Sequence, residues 1–294
     1  MIEEIGSFIQ YLHEVKHTSK NTEVSYQRDL HKLSSFLKDQ GITDVKKVTK
    51  TSLNSYILYL EQEGRATTTI SRNIASMKAF FHYEFKMGNI KRDPAELLHA
   101  PKIEKKLPEI LSVSDMNNLL NQPAGSNPKE LRDKAMLELL YATGIRVTEL
   151  INLKLSDVNM QLGYICCSDG HKTRMVPFGK VAKAALAEYL EKGRSSLVKN
   201  EQEDRLFTNC SGKAMSRQGF WKLIKYYGGK AGIEMDITPH TLRHTFAAHL
   251  IENGADIHAV QEMLGHSDIA TTQIYAVYGT KGMREAYEGS HPRK

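Results

Sequence analysis

Cysteine is scarce in this chain. There are three, Cys166, Cys167 and Cys210, among 294 residues, and two of them are adjacent. So few thiols, so placed, build no disulfide framework, and a reducing compartment fits best. Neighbouring side chains alternate across a strand, so Cys166 and Cys167 read as small apolar fillers. Long apolar runs are missing too: none approaches the roughly 18–20 residues of a membrane span. The opening MIEEIGSFIQYLHEVKH lacks a basic n-region and a small-residue cleavage site. No signal peptide is read there, and a cytoplasmic setting is expected. Internal repeats and low-complexity tracts are absent. A zinc helix is lacking as well. His240 and His244 have its i,i+4 spacing, but Thr241 stands where H-E-x-x-H needs glutamate, and Arg243 would repel a cation. No metal is expected there.

What is present is a chain of ordinary globular composition, 40% hydrophobic and 25% charged, with a net charge of +6. Such a length makes one large or two ordinary domains, and the charge leans toward an anionic partner. Four stretches in the first hundred residues carry apolar residues at helical spacing: Ile2, Ile5, Ile9 and Leu12; Tyr26, Leu30, Leu33 and Leu37; Leu53, Ile57 and Leu60; Ile70, Ile74, Met77 and Phe81. The last three stop at Gly41, Gly64 and Gly88. Two of these helices show basic faces, with Lys20, Arg28 and Lys32 on one and Arg65, Arg72 and Lys78 near the other. Solvated faces and an anion-binding surface are both open readings. Pro101 and Pro108 then bracket a run holding Lys102, Lys105 and Lys106, the signature of a basic linker.

The boundaries expected are therefore a helical domain over 1–98, a linker over 99–110 and a second domain over 111–294. The second is mostly helical, including DIHAVQEMLGH and DIATTQIY. Its one change of period, GYICCSDGHKTRMVPFG, carries Asp169-Gly170 between β-prone runs and reads as a hairpin. The fold class is mainly α, with two domains and a small sheet in the second.

The stretch DITPHTLRHTFAAHL concentrates the chemistry. Thr238 reads as an N-cap and Pro239 as a first-turn residue, which gathers His240, Arg243 and His244 at the start of a helix. Cations there add to the positive end of the helix and suit an anion. Arg146 follows Gly144, His266 follows Gly265, Tyr275 comes nine residues later, and the hairpin adds Lys172 and Arg174. Singly, each has an ordinary reading, such as a salt bridge for Arg243 or a core hydrogen bond for His244. Together, without clustered carboxylates, they suit a phosphodiester, because guanidinium forks match phosphate oxygens. With no metal-bound hydroxide the nucleophile becomes a side chain, and tyrosine is a candidate. Spacing alone does not single out Tyr275 among 13 tyrosines.

The segments ATGIRVTEL, HTLRHTFAAHLIENGADIHAVQEMLGHSDIATTQIY and the closing HPRK resemble the tyrosine recombinases of the phage integrase family, the Xer branch in particular. The resemblance covers nearly the whole chain, and the joint H-x-x-R, G-H and Tyr spacing is highly specific. It implies a SAM-like, four-helix DNA-binding domain followed by a catalytic domain. It implies that Arg146 and Arg243 clamp the scissile phosphate, that His240 assists proton transfer and phosphate binding, and that His266 hydrogen-bonds the phosphate. Tyr275 would attack, forming a 3′-phosphotyrosyl link and freeing a 5′-hydroxyl, and strand exchange would pass through a Holliday junction. The resemblance implies no metal, ATP or other cofactor, and Glu149 matches an acidic position read as structural support.

One departure stands out. Xer relatives carry the catalytic lysine in a hairpin reading Gly-Lys-Gly-x-Lys-x-Arg, whereas this hairpin reads SDGHKTR, with Asp169 at the usual lysine position. Lys172 aligns with the second lysine. Either it protonates the leaving 5′-oxygen as general acid, or it contacts a DNA phosphate and the general acid is weakened. Tyr278 is a rival nucleophile whose distance from His266 does not match the family. Arg72, Lys102, Lys105, Lys106, Arg174, Arg217 and Lys222 are candidate DNA contacts, with Arg174 alternatively structural.

The partners so implied are double-stranded DNA at paired sites, and a homo- or hetero-tetramer assembled with a related recombinase through the tail after Tyr275. A DNA translocase is a further candidate. The function expected is site-specific recombination of the Xer type, resolving chromosome dimers. The alternatives are the integrase or excisionase of a mobile element, a DNA-binding protein of this fold with impaired chemistry, and a relaxing topoisomerase.

Overall fold

The computed structural model describes residues 1–102, 107–168, 172–200 and 202–279. The chain divides into two compact units, Met1–Lys106 and Leu107–Lys294. Among the described residues no helix is long and apolar enough to cross a membrane.

The first unit is built from α1 (Ile2–Glu14), α2 (Lys20–Asp39), α3 (Lys50–Gln62) and α4 (Thr67–Lys86). Its helices start where side chains can cap them. Ser19 accepts a hydrogen bond from the Thr22 amide, and Thr49 and Ser52 cap each other's backbone reciprocally. Ile5 and Phe8 meet Leu30, Leu33, Leu37, Leu53, Ile74, Phe80 and Phe81 in one buried core. Burying such a side chain contributes about 1.5–3 kcal/mol. Two of the buried carboxylates here are ion-paired. Asp29 takes both ends of the Arg72 fork, at 2.7 and 2.9 Å. Glu23 takes His13 at 3.0 Å and Lys20 at 3.3 Å. Glu84 is fully buried with Asn89 its one side-chain donor among the described residues, and burial raises its carboxyl above the ordinary value.

The second unit opens with α5 (Val113–Asn121), α6 (Pro128–Thr143) and α7 (Val147–Asn152). The strands β1 (Val158–Asn159), β2 (Tyr164–Ser168) and β3 (Thr173–Pro177) form an antiparallel sheet in that order. Cys167 lies opposite Arg174 and Ser168 opposite Thr173. Ile165, Cys167 and Val176 are buried on the core face, and burial pushes the Cys167 thiol up to about 12. Then follow α8 (Lys180–Glu188), one turn of π-helix over Tyr189–Gly193, α9 (Arg194–Leu197), α10 (Arg217–Lys230), α11 (Pro239–Glu252) and α12 (Ile257–Leu264).

Helix α11 runs through the interior, with Leu242, Arg243, Phe246, Ala247, Ala248, His249 and Ile251 all buried. The segment entering the unit is fastened to it. The Leu111 amide donates to Thr245 Oγ1 at 3.0 Å, and His249 Nε2 lies 3.0 Å from the Leu111 carbonyl. A carbonyl only accepts, so Nε2 carries the proton and Nδ1 accepts from Tyr141 Oη at 2.8 Å.

Two local expectations change. The two-residue strand β1 was not anticipated, being too short to show a period. DIATTQIY forms two separate 3₁₀ turns, Ile269–Thr271 and Gln273–Tyr275, in place of a helix. Asp268 caps the first of them, and the side chain of Thr272 is bonded to His266. Asp169 and Gly170, at the expected hairpin tip, lie outside the described residues, as do Lys105, Lys106 and the tail from 280 onward.

Candidate active site

The site forms where two helices end. Helix α6 stops at Gly144 and α12 at Gly265, both in the left-handed region with φ of 58° and 65°. Each glycine is required twice over. A Cβ on Gly144 would sit 2.1 Å from the Phe246 ring of α11, and one on Gly265 would sit 2.8 Å from Arg174 Nη1. Helix C-termini leave carbonyl oxygens without intrahelical donors, at the negative end of the helix dipole. Three arginines fill them. Arg174 Nε donates to Met263 O at 2.9 Å, Arg243 Nη2 to Leu264 O at 2.6 Å, and Arg146 Nη2 to Gly265 O at 2.9 Å. Arg243 Nη1 also reaches Gly144 O at 2.6 Å. Three successive carbonyls thus hold guanidinium groups from the N-cap of α7, from β3 and from α11 side by side.

One carboxylate stands among these three cations. Glu149 pairs with both ends of the Arg174 fork at 2.8 and 2.9 Å, and with Arg146 Nη1 at 3.3 Å. Its other contact is the Arg146 amide at 2.7 Å, at the start of α7. Burial would raise Glu149, but the hydrogen bonds from Arg174 and from the Arg146 amide outweigh it and hold the carboxyl below its ordinary value. Arg243 is hydrogen-bonded to no carboxylate among the described residues. It is 7% exposed, and burial followed by repulsion from Arg146 lowers it to about 10. It stays charged at neutral pH, so three guanidinium charges face one carboxylate. The excess invites an anion with several acceptor oxygens.

The histidines and the tyrosine complete the site. Thr238 caps α11 by accepting from the Thr241 amide at 3.1 Å, and Pro239 occupies the first turn. His240 is exposed at that end, with its ring 6.4 Å from that of His244. His266 lies directly after Gly265 and is bonded through Nδ1 to Thr272 Oγ1 at 2.9 Å. Burial, then Arg243 and Arg146, push it down to about 4. Tyr275 is 1% exposed, in a cluster with Phe246, Ile251, Val260 and Leu264. Burial pushes its phenol up to about 12, and its hydroxyl is hydrogen-bonded to His244 Nδ1. Tyr278, the rival, donates instead to Pro108 O at 3.1 Å.

The structure therefore brings Arg146, Arg243, His240, His266 and Tyr275 to one place, with Arg174 beneath them holding Glu149. Lys172 is exposed, immediately before β3. Arg72 is 44% exposed and gives its fork to Asp29. Lys102, Arg217 and Lys222 are exposed, and Lys222 shares a groove with Lys129 and Tyr226. Among the described residues no group of three or more His, Cys, Asp or Glu side chains could hold a metal ion. Two contributors escaped the sequence reading. The three carbonyl acceptors have no side-chain signature. Thr272 differs from other threonines only in being fully buried six residues after His266.

Comparison with known proteins shows the family and the fold. The model of the phage integrase family matches residues 109–279, and that of the phage integrase N-terminal SAM-like domain matches residues 5–88. The chain is 44% identical to tyrosine recombinase XerD of Halalkalibacterium halodurans, over 98% of this chain and 97% of that protein. It is 42% identical to tyrosine recombinase XerD of Listeria innocua, over 98% of each. The crystal structure of the XerH site-specific recombinase bound to palindromic difH substrate, a post-cleavage complex, matches with a TM-score of 0.74 at 21% identity. It covers 98% of this chain and 95% of that one, and shows the same fold.

Proposed function

The chain belongs to the phage integrase family, the tyrosine recombinases, and from that premise we propose how its residues divide the reaction. It is a site-specific recombinase of the Xer type. Its substrate is double-stranded DNA, and the reaction is a metal-independent transesterification at one phosphodiester.

Arg146 and Arg243 hold the non-bridging oxygens, with His266 and His240 as further donors. Tyr275 Oη attacks phosphorus, the bond to the 5′-oxygen breaks, and a 3′-phosphotyrosyl link remains. Lys172 protonates the departing 5′-oxygen. Attack by the partner strand's 5′-hydroxyl reverses the step and rejoins the exchanged strands. The observation that carries this reading is the excess of guanidinium charge pinned on Met263, Leu264 and Gly265 beside Tyr275. Such preorganised donors are worth most where charge develops, about 3–4 kcal/mol each. Arg174 acts through Glu149 and keeps Arg146 in place.

Affinity for DNA comes from phosphate contacts, with Lys102, Lys105, Lys106, Arg217 and Lys222 as the cations proposed and the exposed part of Arg72 as a weaker one. The assembly proposed is a tetramer on paired sites, formed with copies of this chain or with a related recombinase through the tail after Tyr275. Its task is the resolution of chromosome dimers in the cytoplasm, under the control of a DNA translocase.

The test is a duplex nicked near the cleavage site, so that the freed strand is lost and the covalent complex accumulates. Wild type is expected to give an adduct on a denaturing gel, and Tyr275→Phe none. An adduct that survives Tyr275→Phe overturns the assignment. Lys172→Ala is expected to lose cleavage on ordinary DNA and regain it when the leaving oxygen is replaced by sulfur, which needs no proton.

A further inference from the structure

We infer that His244, and not His240, takes the phenolic proton of the nucleophile. The inference rests on Tyr275 being that nucleophile. His240 and His244 stand one turn apart on α11, and the resemblance gives proton transfer to the first. The geometry separates them. The Tyr275 hydroxyl is hydrogen-bonded to His244 Nδ1, whereas His240 is exposed and makes no hydrogen bond to Tyr275 among the described residues.

The direction of that bond follows from satisfaction. Tyr275 is 1% exposed, and a buried hydroxyl proton needs an acceptor. His244 Nδ1 is the acceptor it has among the described residues, so the phenol donates and the imidazole keeps its own proton on Nε2. Burial, then the charges of His240 and Arg243, push His244 down to about 4, so the ring is neutral and its lone pair is free to receive. Nδ1 therefore touches a reacting atom, which makes His244 a catalytic residue.

The step balances. The Oη–phosphorus bond forms and the phosphorus–O5′ bond breaks. The phenolic proton passes to His244 Nδ1, giving an imidazolium, and O5′ leaves with a proton from Lys172. Religation runs the same transfers backward, and the imidazolium returns its proton to the tyrosine oxygen. A phosphate in the clamp screens Arg243, so it raises the basicity of the ring when substrate is bound. His240 is left to the phosphate.

The experiment measures single-turnover cleavage of the nicked duplex by His244→Asn, His244→Phe, Tyr275→Phe and Lys172→Ala, with DNA binding and thermal unfolding as folding controls. Asparagine Oδ1 replaces Nδ1 as an acceptor but cannot hold the proton. Both His244 variants are expected to cleave about 10²-fold more slowly than wild type, in the range for loss of a general base. Replacing the leaving oxygen by sulfur is expected to restore Lys172→Ala and to leave His244→Asn slow.

The wild-type rate is expected to rise with pH along a limb that His244→Asn lacks. His240 and Arg243 on the same helix, with Tyr275 and His266 from the segments packed against it, also face the ring. The limb is therefore read as the difference between the two profiles. Recovery of the wild-type rate by His244→Asn would reduce His244 to a hydrogen-bond acceptor and overturn the inference, as would rescue of His244→Asn by sulfur. Cleavage by Tyr275→Phe would instead overturn the nucleophile assignment on which it rests.

Discussion

Two clusters of buried charge, one in each unit of this chain, are built in opposite ways. In the first, Asp29 meets one arginine fork, and Glu23 meets one lysine and one histidine. In the second, Arg146, Arg174 and Arg243 crowd around Glu149 and rest on backbone carbonyls for the remainder. Carbonyls satisfy the hydrogen-bonding needs of a guanidinium without cancelling its charge. A helix end therefore lets a protein bury an arginine and keep its cation available. The first arrangement stabilises a fold. The second holds a site ready for a phosphate that arrives later, and the cost is repulsion among like charges.

The sharpest way to break this contrast is to remove Arg243, which is hydrogen-bonded to backbone carbonyls and to no carboxylate among the described residues. Arg243→Ala is expected to slow cleavage about 10²–10³-fold, the usual loss for one preorganised donor, measured as adduct formation under single-turnover conditions. Glu149→Gln leaves three guanidinium groups without a counter-charge. It is expected to lower stability by about 3 kcal/mol in chemical denaturation. Asp29→Asn is expected to lose less, about 1 kcal/mol, because its partner Arg72 is 44% exposed and solvent screens it.

Acidification separates the units further. His244 and His266 are held down at about 4 in the folded protein, whereas unfolded histidine titrates near 6.5. Between those values the unfolded chain binds more protons, so stability falls as pH drops from about 6.5 to about 4. The loss is on the order of 2–3 kcal/mol for each histidine. Glu84 is raised, so the first unit gains from acid in the range just above 4.5. Thermal unfolding followed at pH 7 and pH 5 is expected to destabilise the second unit selectively. The smallest contrast concerns two glycines. Gly88 has a φ of 75° and open space around it, so Gly88→Ala is expected to cost about 1 kcal/mol and leave cleavage unchanged. Gly265→Ala adds a clash with Arg174 to the same backbone strain, and is expected to slow cleavage as well as to destabilise.

The sequence made the residues visible and the support invisible. His240, Arg243 and the cap at Thr238 were legible because side-chain type and helical spacing carry them. So were the four helices of the first unit, whose apolar faces repeat cleanly. The carbonyls of Met263, Leu264 and Gly265 were not legible, since every residue has one and only the end of a helix leaves it unpaired. Nor was the sharing of Glu149 between two arginines, because β3 reaches it across a long stretch of chain. DIATTQIY reads as one helix in the sequence where two 3₁₀ turns form, the second ending at Tyr275, and the bond from His266 to Thr272 depends on tertiary placement.

The most direct test of the central claim, that an uncancelled arginine clamp presents a phosphodiester to one buried tyrosine, is to identify the residue that carries the DNA. The trapped adduct would be digested with protease and nuclease, and the nucleotide-bearing peptide sequenced by mass spectrometry. The account predicts phosphate on Tyr275, in the peptide that also contains Thr272, and loss of the adduct in Arg243→Ala. Phosphate on Tyr278, or an adduct that forms undiminished in Arg243→Ala, would contradict it.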